Sequence, residues 1–361
     1  MNYSFRLQNL RVQLSKLKCD ALAVTHLTNV RYLCGFSGSS AMILITPDAA
    51  HFITDFRYRS QAQAQVGAYL KVHIAERGLW QEAAKILKKN GAARVGFEAQ
   101  HTSVAAWQEI QKLLGQSMET SATSMAVENL RLIKDEDEVK VIRDAVRIAD
   151  ETLAEVLELL RPGLSEREVA LAIEQGVRAR GASGLSFDTI VASGARGALP
   201  HGVASDKLLK NGDMITIDMG AKFNDYCSDM TRTVCLGKAN ARQKEIYEIT
   251  YRAQVAACKA ITAGFGCKAA DAVARKIISD AGYGKDFGHG LGHGVGIDIH
   301  EAPRLAKTGK GNLETGMIVT SEPGIYLAEF GGVRIEDMLL VTPDGAEILT
   351  QTPKPATLLE L

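Results

Sequence analysis

The sequence has no excess charge of either sign. Its 42 basic and 42 acidic residues give a formal net charge of zero. That leaves it without the basic footprint that holds nucleic acid or an anionic membrane surface. No stretch approaches the ~20 apolar residues needed to span a bilayer. The first eight residues contain no apolar run of signal-peptide length. Six cysteines (Cys19, Cys34, Cys227, Cys235, Cys258 and Cys267) are scattered, with no Cys-x-x-Cys pair among them. Free thiols in a reducing cytoplasm are therefore expected. What remains is ordinary globular composition, 46% hydrophobic and 23% charged, in 361 residues. That length suggests two domains.

The densest chemical signal lies between Gly288 and Glu301, where His289, His293 and His300 fall among five glycines. Glycine lets other groups approach the backbone closely. Imidazole binds metals, moves protons or donates to anions near neutral pH. The stretch reads as a site packed tightly against something. The remaining histidines are spread along the chain. His26, His51, His73 and His101 stand far apart in sequence, and each reads as structural or exposed.

Residues 1–125 alternate helical and extended patterns, as an α/β domain does. Ser4 can cap a helix over 4–18, with Leu7, Leu10, Leu14 and Leu17 on one face. Short apolar strands at 21–24, 40–46, 51–54 and 93–97 alternate with helices at 80–89 and 103–114. A boundary is expected at 126–138, where Asp135, Glu136, Asp137 and Glu138 suit a helix N-terminus. Residues 126–361 then form a second domain that repeats itself. The span 164–181 parallels 265–282, each a helix ending at glycine, and Phe187, His201 and Asp218 find counterparts in Phe287, His300 and Glu322. Such a duplication brings corresponding strand residues together about a pseudo-twofold axis.

Asn224-Asp225 suits a two-residue hairpin turn. Pairing across it sets Gly220 opposite Asp229 and leaves Asp218 and Asp229 as diagonal neighbours on one sheet face. Two carboxylates so placed repel each other unless a cation or proton intervenes. Glu322 and Glu336 also lie in apolar strands, where acids are costly unless paired or metal-bound. Two Asp, two Glu and one His form an oxygen-rich donor set that suits two divalent ions such as manganese or cobalt. Two ions roughly 3.5 Å apart can share a hydroxide and polarise a carbonyl.

These residues resemble a known family. Asp218, Asp229 eleven positions on, the His289/His293/His300 block, Glu322 in Ser-Glu-Pro-Gly and Glu336 in Val-Arg-Ile-Glu-Asp are similar to the pattern of the pita-bread metallopeptidases. That family includes methionine aminopeptidase, Xaa-Pro aminopeptidase and Xaa-Pro dipeptidase. The likeness runs from about residue 130 to 350. Residues 1–125, with 29–36 and 54–59 as their most telling stretches, resemble the N-terminal domain of the proline-specific and creatinase-like branch.

The resemblance implies a creatinase-like α/β domain (1–125) followed by a pseudo-twofold pita-bread catalytic domain (126–361). It implies two divalent ions per chain, manganese or cobalt ahead of zinc, held by Asp218, Asp229, His293, Glu322 and Glu336. His293 is chosen over His289 because the family's ligand lies seven residues before the last histidine of the block. Glu322 would also act as general base. His201 and His300 would bind the substrate carbonyl, His289 would line the proline pocket, and Arg334 would hold substrate or order the site. Short peptides are the expected partners, in a cytoplasmic homodimer or higher homo-oligomer.

The favoured activity is a metal-dependent aminopeptidase removing the residue before proline or a small residue. The alternative is an Xaa-Pro dipeptidase. A non-catalytic peptide binder and a metal-free creatinase-like hydrolase stand lower, because all five ligand positions are filled.

Overall fold

The computed structural model describes residues 1–361, which form two units, Met1–Arg131 and Leu132–Leu361. Both mix helices and sheet, as expected. The first unit is built on six strands: β1 (Ala21–Val24), β2 (Ala41–Ile45), β3 (Ala50–Asp55), β4 (Lys71–Ala75), β5 (Arg94–Glu98) and β6 (Glu119–Thr123). They pair in the order β4-β3-β2-β1-β5-β6. The β1–β5, β5–β6 and β3–β4 pairs are parallel, and the β1–β2 and β2–β3 pairs are antiparallel. Central β1 and β2 are buried along their whole length, which explains their unbroken apolar runs. Helices α1 (Tyr3–Gln13), α2 (Leu27–Cys34), α3 (Arg59–Gln65), α4 (Leu79–Lys89), α5 (Val104–Leu114) and α6 (Glu128–Arg131) accompany the sheet. From α4, Ala83, Ala84, Ile86 and Leu87 are buried.

Three details differ from the sequence expectations. The cap of α1 is Asn2, whose side chain accepts from the Phe5 amide, and the helix stops at Gln13. Asparagine caps as well as serine, so the earlier residue starts the helix. The first unit extends to Arg131, inside the 126–138 stretch expected to hold the boundary and past the provisional limit of 125, because α6 is tied back into it. Fully buried Asn29 donates from Nδ2 to Glu98 Oε1 and Glu128 Oε1, 2.7 Å each, and accepts from Arg131 Nη1 at 2.8 Å. Finally, the scattered histidines are paired. The His51 Nδ1 and His73 Nε2 atoms lie 3.0 Å apart across β3 and β4, and the His26 and His101 rings stack 3.6 Å apart. Crossover connections make neighbours of strands that are distant in sequence.

The second unit contains four long helices, α7 (Glu136–Leu159), α8 (Glu166–Ala179), α9 (Ala241–Ala260) and α10 (Cys267–Asp280). Capping boxes start three of them: Asp135 with Glu138, Ser165 with Glu168, and Asn240 with Gln243. The strands are β7 (Gly184–Leu185), β8 (Ile190–Ser193), β9 (Met214–Met219), β10 (Ala221–Phe223), β11 (Tyr226–Cys227), β12 (Met230–Cys235), β13 (Gly292–Gly294), β14 (Glu301–Leu305), β15 (Ile318–Ser321), β16 (Gly324–Leu327), β17 (Gly331–Arg334), β18 (Asp337–Thr342), β19 (Gly345–Ile348) and β20 (Leu359–Glu360).

Two main sheets result, in the orders β20-β12-β9-β8 and β14-β13-β15-β18-β19. Each half thus has two helices and a largely antiparallel sheet, with β20 joining β12 in parallel, the duplication anticipated from the sequence. One apolar cluster joins α7 and α8 to β8, β9 and β12, and another joins α9 and α10 to β14, β15 and β18. Hydrogen bonds tie the halves together: Thr231 Oγ1 donates to Glu336 Oε2 at 2.7 Å, and Thr233 Oγ1 donates to the Arg334 carbonyl at 2.9 Å.

Asn29 gives the fold its most direct test. Asn29→Ala strips a donor from the buried Glu98 and half-buried Glu128 carboxylates and an acceptor from Arg131. It should destabilise the N-terminal unit by about 2–4 kcal/mol in urea unfolding. A change below ~1 kcal/mol would contradict the role given to this side chain.

Candidate metal centre

The hairpin between β9 and β12 turns at Asn224 and Asp225, with φ of 44° and 75°. Both values lie in the left-handed region that a type I′ turn requires. One register runs through the hairpin, with Phe223 opposite Tyr226 and Met219 opposite Met230. Asp218 therefore lies near the end of β9, and Asp229 stands just before β12. In the other half, Ser321 pairs with Asp337. Glu322 thus follows β15 and Glu336 precedes β18, the positions that mirror the two aspartates. The glycines around His293 are explained by close packing. A Cβ on Gly292 would sit 2.1 Å from the Thr320 carbonyl oxygen, so only glycine lets β13 lie this close to β15.

These elements deliver all the anticipated residues to one cavity of about 810 Å³, lined by Asp218, Asp229, His293, Glu322 and Glu336 with His201, His289, His300 and Arg334. His293 Nε2 lies 3.4 Å from Glu322 Oε1 and 3.6 Å from Asp229 Oδ2. Ligand atoms of Asp229, His293 and Glu336 all fall within 4.8 Å of one another. The His293 Nδ1–H donates to the Gly294 carbonyl at 3.0 Å. That bond leaves the Nε2 lone pair facing the carboxylates, the tautomer a metal ligand needs. Thr320 Oγ1 accepts from the His293 amide and donates to Glu322 Oε1, which fixes both.

The electrostatics call for cations. Burial pushes Glu322 up to about 8, with Asp218 adding to the rise and Arg334 opposing it. Burial raises Asp229 and Glu336 too, reinforced by the carboxylates around them. Burial lowers His293 to about 4, so its imidazole is neutral at pH 7. Asp218 Oδ2 accepts from Arg334 Nη2 at 2.7 Å, while its buried Oδ1 has no partner. A neutral imidazole, an orphaned carboxylate oxygen and acids that cannot all ionise together fit divalent ions with mixed oxygen and nitrogen ligands.

His289 stands apart from this cluster, as the choice of His293 anticipated. Its Nδ1–H donates to the Gly290 carbonyl, and its Nε2 accepts from the Tyr326 hydroxyl, 2.8 Å each. Tyr326 accepts in turn from Arg334 Nη1 at 2.9 Å. Arg334 also donates to Thr231 Oγ1 and the Pro200 carbonyl, so it orders the segment that carries His201. The His300 ring meets that of His293 edge-on, with centroids 4.4 Å apart.

Several residues of the site escaped the sequence reading. Tyr326 links His289 to Arg334. The Asp271–Arg275 pair on α10 holds the glycine-rich loop: Arg275 donates to the Phe287 and His289 carbonyls, and Asp271 accepts from the Leu291 amide. Arg304 lines the cavity. Thr231 alone left a trace, two positions after Asp229 and so on the same strand face.

A buried, carboxylate-rich centre at the meeting of two mirrored half-units defines the chain as a metallohydrolase of pita-bread architecture. Comparison with known proteins agrees. The model of metallopeptidase family M24 matches residues 140–343, and that of the creatinase/prolidase N-terminal domain matches 6–133. The Xaa-Pro dipeptidase of Pyrococcus horikoshii is 38% identical over 346 residues, covering 94% of this chain and 95% of the relative. The solved Xaa-Pro dipeptidase from Bacillus anthracis superposes with a TM-score of 0.97 at 41% identity, covering all of both chains. The X-Pro aminopeptidase from Thermotoga maritima gives a TM-score of 0.88 at 35% identity, covering 95% of this chain and 98% of its own. The chain belongs to metallopeptidase family M24, with a creatinase/prolidase N-terminal domain. No helix is long and apolar enough to cross a membrane.

The raised acids make two linked observables. Glu322 titrates near 8 in the folded metal-free chain against an ordinary 4.5. Its proton therefore favours folding fully below pH 4.5, and that contribution is lost as the pH rises through about 8. The melting temperature of metal-free protein should fall between pH 5 and 8, and saturating manganese should abolish the fall. Metal loading at pH 7 should also release protons, read by calorimetry in buffers of different ionisation enthalpy. A flat melting profile without proton release would contradict the account.

Proposed function

We propose that the chain hydrolyses the bond before proline in Xaa-Pro dipeptides, and that Arg304 is the residue selecting a dipeptide over a longer peptide. The observation that carries this reading is a positive charge without an ion-pair partner in the cavity wall. Arg304 lies on edge strand β14, directly opposite His293 on β13. Directly paired residues project on the same sheet face. Its side chain is exposed, lines the cavity and forms no ion pair. Its charge adds to burial in lowering both His293 and His300. A guanidinium there suits the free carboxylate of a C-terminal proline, which it can bind bidentately. The sequence alone put the aminopeptidase first; Arg304 moves the preference to the dipeptidase. The relatives named Xaa-Pro dipeptidase support the same choice.

The Xaa-Pro bond has no N–H, so recognition by strand pairing is lost and the two ends of the substrate must be held. Asp218, Asp229, His293, Glu322 and Glu336 would hold two divalent ions. When bound, such a pair supplies a Lewis acid for the scissile carbonyl and lowers the pKa of water. Glu322 takes the proton from attacking water and returns it to the departing proline nitrogen. His201 and His300, on opposite halves of the repeat, donate to the carbonyl oxygen as charge develops on it. His289, neutral and locked by Tyr326, presents a ring wall to the proline.

Two variants test this. Arg304→Gln should lower kcat/KM on an Xaa-Pro dipeptide roughly 10- to 100-fold, chiefly through KM, and barely change the slower hydrolysis of the C-terminally amidated substrate. Equal losses on both, or faster cleavage of Xaa-Pro-Yaa by the unaltered enzyme, would return the preference to the aminopeptidase. Glu322→Gln should retain metal while turnover falls by ~10²–10⁴-fold. Near-normal turnover would move the proton-transfer role to His201 or His300.

A further inference from the structure

We propose that the N-terminal unit carries a divalent-metal site of its own, formed by His26, His101 and Glu128 and suited to zinc. The three residues follow the ends of β1, β5 and β6, which are mutually parallel neighbours in the sheet. The crevice beyond the carboxyl ends of parallel strands is where open α/β sheets hold ligands. Ligand atoms of the three side chains all lie within 4.8 Å of one another. The imidazoles of His26 and His101 stack in parallel, 3.6 Å apart and 4° from coplanar orientation. His101 Nε2 is 3.0 Å from Glu128 Oε1.

A supporting layer of buried polar side chains surrounds this group. Glu98, 4% exposed, accepts at Oε2 from the amides of Thr25 and His26 and at Oε1 from Asn29. Asn29 also donates to Glu128 Oε1 and is itself oriented by Arg131. Backbone and carboxylate are thus positioned by partners that do not touch the ligand, the arrangement that fixes metal-binding side chains.

Two imidazoles and one carboxylate match zinc and its borderline neighbours rather than magnesium or calcium, which take oxygen donors. Donors on a tetrahedral zinc lie about 3.3 Å apart. The lone pairs of two parallel stacked rings do not converge on one ion, so binding requires His101, whose side chain keeps 27% of its surface in solvent, to turn out of the stack, with the fourth position open to water. Any proton shared between His101 and Glu128 leaves to solvent as the ion enters. The His51–His73 pair offers no third ligand and carries no comparable case.

The test uses the full-length protein, stripped of metal and dialysed against zinc. The unaltered chain should hold one more zinc per chain than either His26→Ala or His101→Ala, while both variants, supplied with excess manganese, keep the parent's activity on an Xaa-Pro dipeptide within about twofold. Because zinc is counted directly, the result stands whether or not the peptide is the substrate. On the unaltered chain, zinc should protect His101 from carbethoxylation by diethyl pyrocarbonate, mapped by mass spectrometry. Equal zinc content in the three proteins, or labelling of His101 that zinc does not change, overturns the proposal.

Discussion

Like charges crowded on buried side chains dominate this molecule. Asp229 and Glu336 are 5% and 2% exposed, and Asp218 and Glu322 press on them. Such a group is stable only when protons or cations neutralise it. Arg334 supplies one fixed positive charge, buried at 3% exposure and bonded to Asp218, Tyr326, Thr231 and the Pro200 carbonyl. It cannot offset four carboxyls alone. The remaining deficit in positive charge is the binding energy available to divalent ions.

The duplicated frame exists around that deficit. Each half contributes one acid at or just past the end of a strand and one immediately before its partner strand, so the positions of all four carboxyls are set by the sheets. The threonines that join the halves, Thr231 and Thr233, bond to Glu336 and to the backbone of Arg334. Behind them Arg232 donates to the Asp337 carboxylate and the Thr352 carbonyl, which ties the C-terminal segment to the strand that follows Glu336. Preorganisation of this kind keeps the ligands in place before metal arrives.

Much of this was legible because strand alternation and turn chemistry are local. The Asn224-Asp225 turn fixes the register, and the register puts Asp218 and Asp229 on one face. The histidine block carried its own glycines, and those glycines mark close backbone approach. What escaped was set by long-range geometry. The use of Arg304 depends on how β14 pairs with β13, a pairing interrupted by a register shift after His293. The contact of Tyr326 with His289 spans 37 positions. The His26–His101 stack depends on β1 and β5 meeting through a crossover, so two histidines that read as isolated share a site. The end of the first unit at Arg131 has the same origin, since Arg131 bonds to Asn29 across 102 positions.

The central claim is that the carboxylate cluster is a two-ion centre. Anomalous X-ray diffraction from crystals grown with manganese tests it most directly. The account predicts two peaks about 3.5–4 Å apart, bounded by Asp218, Asp229, His293, Glu322 and Glu336. An anomalous map without a peak in that cavity at saturating manganese, or with ions held only by other residues, would contradict it.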